Sequence, residues 1–273
     1  MNKKILIIMP TIIVLVIVGV LVLNIKKCRI NLPAAGSNLS QAVPLINQVK
    51  ELEAKGNLVE ARSVYQKLVS DFSNSSEVMN WQKRLEELNV KLLFSTAITP
   101  KSVLYEIKPG DTLTKIAKEH KTTVELIKKS NNLLNDAISP GKKIKIWTAA
   151  FTIFVDKSQN SLYLKTDEDI FKIYMVATGR DNCTPVGTFK IATKLVNPTW
   201  FKDNEVIPAG DSRNILGSRW MGFDVAPSYG IHGTTEPQSI GKQSTSGCVR
   251  MLNSDVEELY IIVPVGTEVT IVD

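Results

Sequence analysis

Residues 5–23 form an uncharged apolar stretch that decides where the rest of the chain can fold. About 20 helical residues, each adding about 1.5 Å, span the hydrocarbon core of a bilayer. A cleavable signal sequence usually has a shorter apolar core of about 7–15 residues that ends in small residues. Here the basic cluster Lys26-Lys27-Cys28-Arg29 follows the stretch instead. The pattern predicts an uncleaved transmembrane anchor with basic flanks at residues 1–30.

The charges on the two sides of this stretch do not decide its orientation. Lys3 and Lys4, with the amino terminus, stand against Lys26, Lys27 and Arg29. The side richer in basic residues normally stays in the cytoplasm, but the two sides are nearly equal. The orientation therefore has to follow from the function of the remaining chain.

The formal net charge of +6 comes from two short segments and not from the largest one. Residues 1–30 carry five basic side chains and no acidic ones, and residues 101–150 carry ten basic against five acidic side chains. Residues 151–273 are acidic, with eleven basic and fifteen acidic side chains. A protein that binds a phosphate backbone concentrates positive charge on its main domain. We therefore expect no nucleic-acid partner.

The cysteines and histidines are few and widely spaced. The chain has Cys28, Cys183 and Cys248, together with His120 and His232. This odd number of cysteines forms no disulfide framework and has no metal-ligand spacing. A zinc site would need ligands from separate domains, so we expect no metal and no cofactor.

Residues 31–100 are predicted to form a linker followed by a helical hairpin. The linker is short and polar and contains Pro, Gly and Ser. From about residue 45 to 93, apolar residues recur at helical spacing in two stripes. Gly56-Asn57 and the spacing after it are similar to one tetratricopeptide-like unit, but a single unit cannot bury a solenoid core. A spacer or a weak docking surface is the favoured interpretation.

Residues 101–148 have the order strand–helix–helix–strand, at a length near the lower limit for a free-standing fold. The sequences YEIKPGDTLTKIAKEH, ELIKKSNNL and ISPGKKIKIW follow one another, and with them the segment closely resembles a LysM module. The resemblance implies binding of peptidoglycan or chitin glycan in a groove built from Gly110, Asp111, Thr112 and the loop leading into residues 138–141. His120 lies on a polar helix face and is expected to be exposed and without a role.

Residues 150–273 contain short β-type runs separated by turn signals, which predict a mostly-β sandwich or barrel. One helix-like stretch begins near Asn253 or Ser254, and either side chain is a good N-cap. The whole chain is thus predicted to be an α+β multidomain protein. Its order is transmembrane helix, helical hairpin, βααβ module and mostly-β domain.

His232 and Cys248 are the candidate catalytic pair of this last domain. A thiol attacks a carbonyl as the thiolate, and a nearby imidazole can take its proton. Gly247 allows a tight turn whose amides, those of Gly247 and Cys248, could face one oxyanion, and Arg250 adds positive charge for an anionic substrate. A lone cysteine is often a small buried hydrophobe. Spacing alone leaves a catalytic and a structural role about equally favoured.

Several motifs follow one another through this domain. They include TPVGTF at residues 184–189, GSRWMG at 217–222, IHGT at 231–234 and STSGCVRM at 244–251. With these motifs the segment resembles an L,D-transpeptidase catalytic domain of the YkuD type. Many members carry histidine directly before the Gly-Cys pair, where this chain has Ser246. We interpret that departure as tuning activity and not as abolishing it.

The resemblance implies a cysteine-dependent acyl transfer on peptidoglycan. Cys248 would attack the third residue of a peptide stem, release D-alanine and pass the thioester to an amine of a neighbouring stem, giving a 3→3 cross-link. Water as acceptor would give carboxypeptidase activity, and a protein amine would give protein attachment. His232 is the implied base, the Gly233 carbonyl orients its ring, the Gly247 amide helps to form the oxyanion hole, and Arg250 supports the site.

The remaining expectations concern substrate contacts and location. Thr245 and Ser246 are expected to bind substrate, and Cys183 is expected to be a buried structural thiol and not a wall of the cleft. Because both resembling modules address peptidoglycan, the chain is expected in the bacterial cytoplasmic membrane as a single-pass protein facing the periplasm or wall. Two alternatives stay open: a non-catalytic peptidoglycan-binding scaffold acting through the LysM module, and an enzyme of this class with another acceptor.

Overall fold

The computed structural model describes residues 39–167, 169–202 and 205–273. The anchor predicted for residues 1–30, and with it Cys28, lies outside these residues. Among the helices of the described ranges, none has the length and apolar character needed to cross a bilayer.

Where the structure describes the region predicted as a linker and a helical hairpin, it contains three helices. They are α1 (Leu39–Ala54), α2 (Leu58–Asp71) and α3 (Val78–Leu93). The first helix begins inside the predicted linker and contains Pro44. Its Ala42 and Val49 are buried in the core that the three helices share. The prediction of a linker was wrong for the part of residues 30–45 that lies in this helix. The composition there is polar, and the apolar residues are too few to show helical spacing in the sequence.

The three helices pack on the C-terminal domain and are not a detached spacer. The Asn89 side chain of α3 is buried and donates a hydrogen bond to the Phe171 carbonyl at 2.8 Å. The Gln66 side chain of α2 donates to Asp169 at 3.0 Å. Leu93, at the end of α3, belongs to the main core of the C-terminal domain. Buried polar groups need partners, so these contacts fix the helices against the sheet.

The next segment has the predicted strand–helix–helix–strand order. It contains β1 (Ser102–Glu106), α4 (Leu113–Glu119), α5 (Val124–Ser130) and β2 (Lys143–Trp147). The strands are antiparallel, with Ser102 opposite Trp147 and Glu106 opposite Lys143. Both helices begin at a threonine whose hydroxyl accepts a backbone amide hydrogen, an N-cap that satisfies a donor left free by the helix.

Lys145 connects this small module to the helices. Its side chain is almost fully buried, and Nζ donates to the carbonyls of Leu92 at 2.6 Å and Ser95 at 2.8 Å. These carbonyls lie at the C-terminal end of α3, where unpaired acceptors and the helix dipole favour a cation. On the other side of the module, the Thr123 hydroxyl donates to the Ile261 carbonyl of the C-terminal domain.

The C-terminal domain is mostly β, as predicted. Its described elements are β3 (Phe151–Asp156), β4 (Ser161–Thr166), β5 (Asp169–Met175), β6 (Thr178–Gly179), β7 (Gly187–Val196), β8 (Trp200–Lys202), β9 (Glu205–Ile207), β10 (Arg219–Phe223), β11 (Gly230–His232), β12 (Gln243–Thr245), β13 (Val249–Arg250), α6 (Asn253–Ile262) and β14 (Glu268–Val272). Eight of these strands form one curled sheet in the order β13-β11-β10-β7-β14-β3-β4-β5, and β6–β12 and β8–β9 form two separate two-stranded sheets.

The main core lies between this sheet and α6. Val256, Leu259 and Ile262 of the helix are fully buried against strand residues such as Ile231 and Val249. Burial of this apolar surface holds β11 and β13 side by side at one end of the sheet. The functional motifs lie on these two strands.

Candidate active site

Strand pairing places the IHGT motif and the STSGCVRM motif next to each other. The strands β11 and β13 are parallel, with Ile231 opposite Val249 and His232 opposite Arg250. His232 is the last residue of β11, and Cys248 directly precedes β13. The sequence separates the two residues by a long loop, and the sheet brings their backbones into neighbouring positions.

His232 is buried and held in one orientation. It is 2% exposed, and its Nδ1 lies 2.7 Å from the Gly233 carbonyl oxygen. Because a carbonyl can only accept, Nδ1 carries the proton and Nε2 of the neutral ring is left as the acceptor. Burial lowers the pKa of His232 to about 4, an effect that the Arg250 charge increases and the Gly233 hydrogen bond opposes. The imidazole is therefore neutral at pH 7, and the predicted orienting role of Gly233 matches the geometry.

Cys248 opens into a cleft. Its thiol is partly buried and lines a cavity of about 400 Å³. Trp220 borders both groups, since its ring stacks on His232 with centroids 5.8 Å apart and also lines the Cys248 cavity. Burial raises the pKa of the Cys248 thiol, whereas a backbone hydrogen bond from Gly230 and the Arg250 charge lower it. The sulfur is thus accessible and in its protonated form at rest. The cavity is lined by Leu195, Pro198, Thr199, Trp200, Phe201, Leu216, Trp220, Pro227, Ser228 and Cys248.

The turn before Cys248 differs in detail from the prediction. Thr245 is buried, and its hydroxyl donates to the Cys248 carbonyl at 2.7 Å and accepts from the Gly247 amide at 3.1 Å. Thr245 therefore shapes the turn and does not face the cleft as a substrate contact. The Gly247 amide is already engaged, while we find no acceptor for the Cys248 amide among the described residues. Ser246, the other predicted substrate contact, is exposed.

Gly247 is required by both space and backbone conformation. Its φ is +120°, a region that side-chain-bearing residues rarely adopt. A Cβ at this position would lie 2.4 Å from Cε1 of Tyr229. The ring of Tyr229 therefore packs directly on the glycine that precedes the thiol.

Arg250 is held inside the protein. It is 3% exposed, and Nη1 donates to Glu236 at 2.6 Å and to the Ser239 hydroxyl at 3.0 Å. The prediction that Arg250 supports the site agrees with this position. Its suggested use in orienting an anionic substrate does not, because the guanidinium is paired within the protein.

Asn253 is a site residue that the sequence reasoning assigned only as a helix cap. The cap position falls on Leu252, and no side-chain cap is made there. Asn253 instead bonds both backbone groups of Thr234: its Oδ1 accepts from the Thr234 amide at 3.0 Å and its Nδ2 donates to the Thr234 carbonyl at 2.9 Å. The same Oδ1 accepts from the Ser218 amide at 3.1 Å. Asn253 thus fixes the loop whose Gly233 carbonyl orients the histidine.

Cys183 is exposed, so the expectation of a buried structural thiol was wrong. It lies beside the turn that precedes Cys248, where its carbonyl oxygen would be 3.3 Å from a Cβ at Gly247. A charge on Cys183 raises the pKa of the Cys248 thiol, which places the two sulfurs within electrostatic reach. Cys183 therefore lies on the surface near Gly247, and it is not among the residues that line the Cys248 cavity.

In the small module, the predicted groove residues act mainly within their own turn. The Asp111 carboxylate accepts from the Tyr105 hydroxyl at 2.8 Å and the Lys108 amide at 2.9 Å, and Thr112 caps α4. Gly110 is exposed with a φ of +83°. His120 packs edge-on against Tyr105 and is partly buried, so it is not the exposed residue that was expected.

No group of three or more potential metal-ligating side chains is found within the described ranges. The site consists of a thiol, a neutral imidazole and a paired guanidinium around an apolar cleft.

Comparison with known proteins agrees with this organisation. The family model of the L,D-transpeptidase catalytic domain matches residues 150–271, and that of the LysM domain matches residues 105–147. These matches define a transferase catalytic domain joined to a peptidoglycan-binding module.

Curated relatives narrow the assignment further. The chain is 42% identical over 126 residues to the putative L,D-transpeptidase YqjB of Bacillus subtilis (strain 168), covering 44% of this chain and 70% of that protein. It is 34% identical over 174 residues to the putative L,D-transpeptidase YkuD of the same strain, covering 61% of this chain and 97% of that protein. The chain belongs to the L,D-transpeptidase family.

Solved structures of the family are more distant. The crystal structure of L,D-transpeptidase 3 from Mycobacterium tuberculosis aligns with a TM-score of 0.38 and 14% identity, covering 49% of this chain and 66% of that chain. The family assignment comes from the sequence relatives.

Proposed function

We propose that this protein is a peptidoglycan L,D-transpeptidase that uses Cys248 as nucleophile and forms 3→3 cross-links between peptide stems. The observation that carries the proposal is the position of Cys248, whose sulfur opens into a cleft directly beside the strand that ends in His232. The locked Nδ1–H of His232 leaves Nε2 as a proton acceptor.

Acylation would proceed through a tetrahedral intermediate. His232 takes the thiol proton while the Cys248 sulfur bonds to the carbonyl carbon of the third stem residue. The Cys248 amide is the donor we assign to the resulting oxyanion, because the Gly247 amide is already engaged. Collapse of the intermediate breaks the bond to the D-alanine nitrogen, which leaves with the proton from His232.

Deacylation reverses these roles with a new nucleophile. An amine on a neighbouring stem attacks the thioester and gives its proton to His232, and the Cys248 thiolate leaves and is reprotonated. Water in place of the amine would release the free stem as a carboxypeptidase product. The apolar cleft favours the amine by limiting access of water to the thioester.

The resting protonation states fit a mechanism in which the proton moves during attack. A buried imidazole with a pKa of about 4 and a thiol with a raised pKa are both neutral at pH 7. Neither charge is present in the free enzyme, so the thiol proton passes to His232 as the Cys248 sulfur bonds to the carbonyl carbon.

We further propose that the LysM module holds the glycan while the catalytic domain acts on the stems. In this arrangement residues 1–30 anchor the protein in the cytoplasmic membrane, with its bulk on the wall side. Protease treatment of intact spheroplasts tests this orientation: the catalytic domain should be degraded without lysis. Protection from the protease would contradict it.

The catalytic proposal is tested with purified tetrapeptide stems and the full-length protein, read by mass spectrometry. The wild type should release D-alanine and form dimers, and Cys248→Ala should do neither. Cys183→Ser is the matched control, since it removes the neighbouring thiol and should leave turnover in place. Activity of Cys248→Ala equal to the wild type would refute the proposal. If both proteins bind purified peptidoglycan and neither reacts, the chain is a binding scaffold.

A further inference from the structure

Among the described residues, Glu236 is the one acidic residue that forms an ion pair with the guanidinium of Arg250, which lies two residues after the proposed nucleophile. Its Oε2 accepts from Nη1 of Arg250 at 2.6 Å. The Arg250 side chain is 4% exposed and that of Glu236 is 48% exposed, so the pair extends from the interior to the surface. Ser239 supplies a second, uncharged acceptor to the same nitrogen at 3.0 Å.

This pair connects the two strands of the site. Arg250 lies on β13, two residues after Cys248, and faces His232 in the strand register. Glu236 lies in the loop that leaves β11, where its amide donates to the Thr234 hydroxyl at 2.8 Å. The ion pair therefore joins the loop that follows the histidine to the strand that follows the cysteine.

The Arg250 charge acts on both members of the proposed catalytic pair. It lowers the pKa of His232 and that of the Cys248 thiol. A buried guanidinium without a counter-ion is costly and would favour the thiolate at rest, whereas a paired one has a weaker field. The carboxylate of Glu236 is thus placed to limit the influence of Arg250 on the sulfur.

We propose that Glu236 is a positioning residue, whose carboxylate holds the Arg250 guanidinium between the two strands and offsets its charge at Cys248. The inference rests on the proposed function, because it takes Cys248 as the nucleophile. It assigns to Glu236 a role that neither the motifs nor the family assignment gives it.

The other groups that face the sulfur are few among the described residues. Cys183 acts on Cys248 from the turn after β6, and Tyr229 packs on Gly247 from the loop before β11. Among the described residues, neither of them is a hydrogen-bond partner of the Arg250 side chain. A change at Glu236 therefore reaches the thiol through Arg250, whose unpaired charge would lower the pKa of Cys248 further.

The test measures alkylation of Cys248 by iodoacetamide as a function of pH in the full-length protein. Cleavage after Lys242 and Arg250 yields the peptide QSTSGCVR, in which Cys248 is the sole cysteine. Mass spectrometry of this peptide reports one thiol without interference from the others. The variants are Glu236→Gln, which removes the charge, and Ser239→Ala, which removes a neutral hydrogen bond to the same nitrogen.

We expect the alkylation midpoint of Glu236→Gln to fall by about half a pH unit, with about threefold faster alkylation below the midpoint. Ser239→Ala should keep the wild-type midpoint. Equal midpoints in the wild type and Glu236→Gln would overturn the proposal, even if the thermal midpoint of unfolding drops. That result would leave Glu236 with a purely structural role.

Two further measurements keep the result interpretable. If Glu236→Gln does not fold, Glu236→Ser removes the same charge and lets water reach the guanidinium, and a smaller shift in the same direction is expected. Turnover of tetrapeptide stems by the wild type is measured in parallel. If the wild type is active and Glu236→Gln shows no shift of the alkylation midpoint, the role of Glu236 is refuted and the proposed function stands. If turnover survives the removal of Cys248 and is lost only when another residue is removed, the proposed function is refuted.

Discussion

Replacement of Asn253 by alanine should loosen the loop that orients His232. The change removes three hydrogen bonds, at 2.9, 3.0 and 3.1 Å, and leaves the backbone groups of Thr234 and the amide of Ser218 without these partners. Each such bond contributes about 1 kcal/mol net, and more where a buried group stays unsatisfied, so we expect a loss of about 3 kcal/mol. At roughly 3 °C per kcal/mol, the thermal midpoint of the catalytic domain should fall by about 9 °C.

The matched control is Asn253→Asp. A carboxylate keeps the two bonds that Oδ1 accepts but loses the donor to the Thr234 carbonyl, so its loss should be smaller than that of alanine. Differential scanning calorimetry measures the stability, and stem turnover measures the site. Turnover of Asn253→Ala below the melting range should also fall, because the Gly233 carbonyl no longer has a fixed place. An alanine variant with a midpoint within about 1 °C of wild type and normal turnover would refute this reasoning.

Three further predictions concern the residues around the thiol. Gly247→Ala should lose both stability and turnover, because its Cβ would lie 2.4 Å from the Tyr229 ring. The double variant with Tyr229→Ala should recover only part of the stability, because the positive φ at position 247 remains strained. Full recovery would contradict the strain argument. Burial lowers the pKa of His232 to about 4, so the free energy of unfolding should rise between pH 4 and about pH 6.5, the pKa of an exposed histidine, and stay constant above that pH. At pH 5 the free energy of unfolding should be about 2 kcal/mol below its value at neutral pH. Calorimetry of His232→Gln should show that this pH dependence is lost. Cys183→Ser should leave the pH-independent turnover within about twofold of wild type. It should slightly lower the pH midpoint of Cys248 alkylation, because Cys183 raises the pKa of the Cys248 thiol. Loss of turnover would instead give Cys183 a part in the reaction.

Periodicity and motif order predicted much of this fold. The alternating runs after Phe151 form strands, and the order of the segment at residues 101–148 gave its two strands and two helices. Helix α1 was missed because Ala42 and Val49 are buried by tertiary packing and not by a local stripe. Single-sequence patterns report local spacing, and such a helix owes its burial to its neighbours.

The sequence pointed to the two central residues of the candidate site, His232 and Cys248, but not to the residues that position them. Cys248 and His232 stand in motifs, and the structure brings their strands together. Glu236 and Asn253 act through partners distant in sequence, and nothing local in the chain marks them. Thr245 was predicted to contact substrate because it stands close to Cys248 in the sequence, whereas its hydroxyl closes the turn. Adjacency in sequence does not tell whether a side chain points into a cleft or into the turn that builds it.

The buried ammonium of Lys145 has a consequence for where the enzyme acts along the wall. It joins β2 to the end of α3, and α3 in turn bonds to the sheet through Asn89. With the Thr123 contact on the other side, the small module is braced at two places and cannot swing independently of the sheet. If the module holds the glycan as proposed above, a bound sugar would lie at a constant separation from the sulfur of Cys248. The protein would then select stems by their spacing along the glycan strand, and loss of the Lys145 and Thr123 contacts would widen the range of stems it can reach.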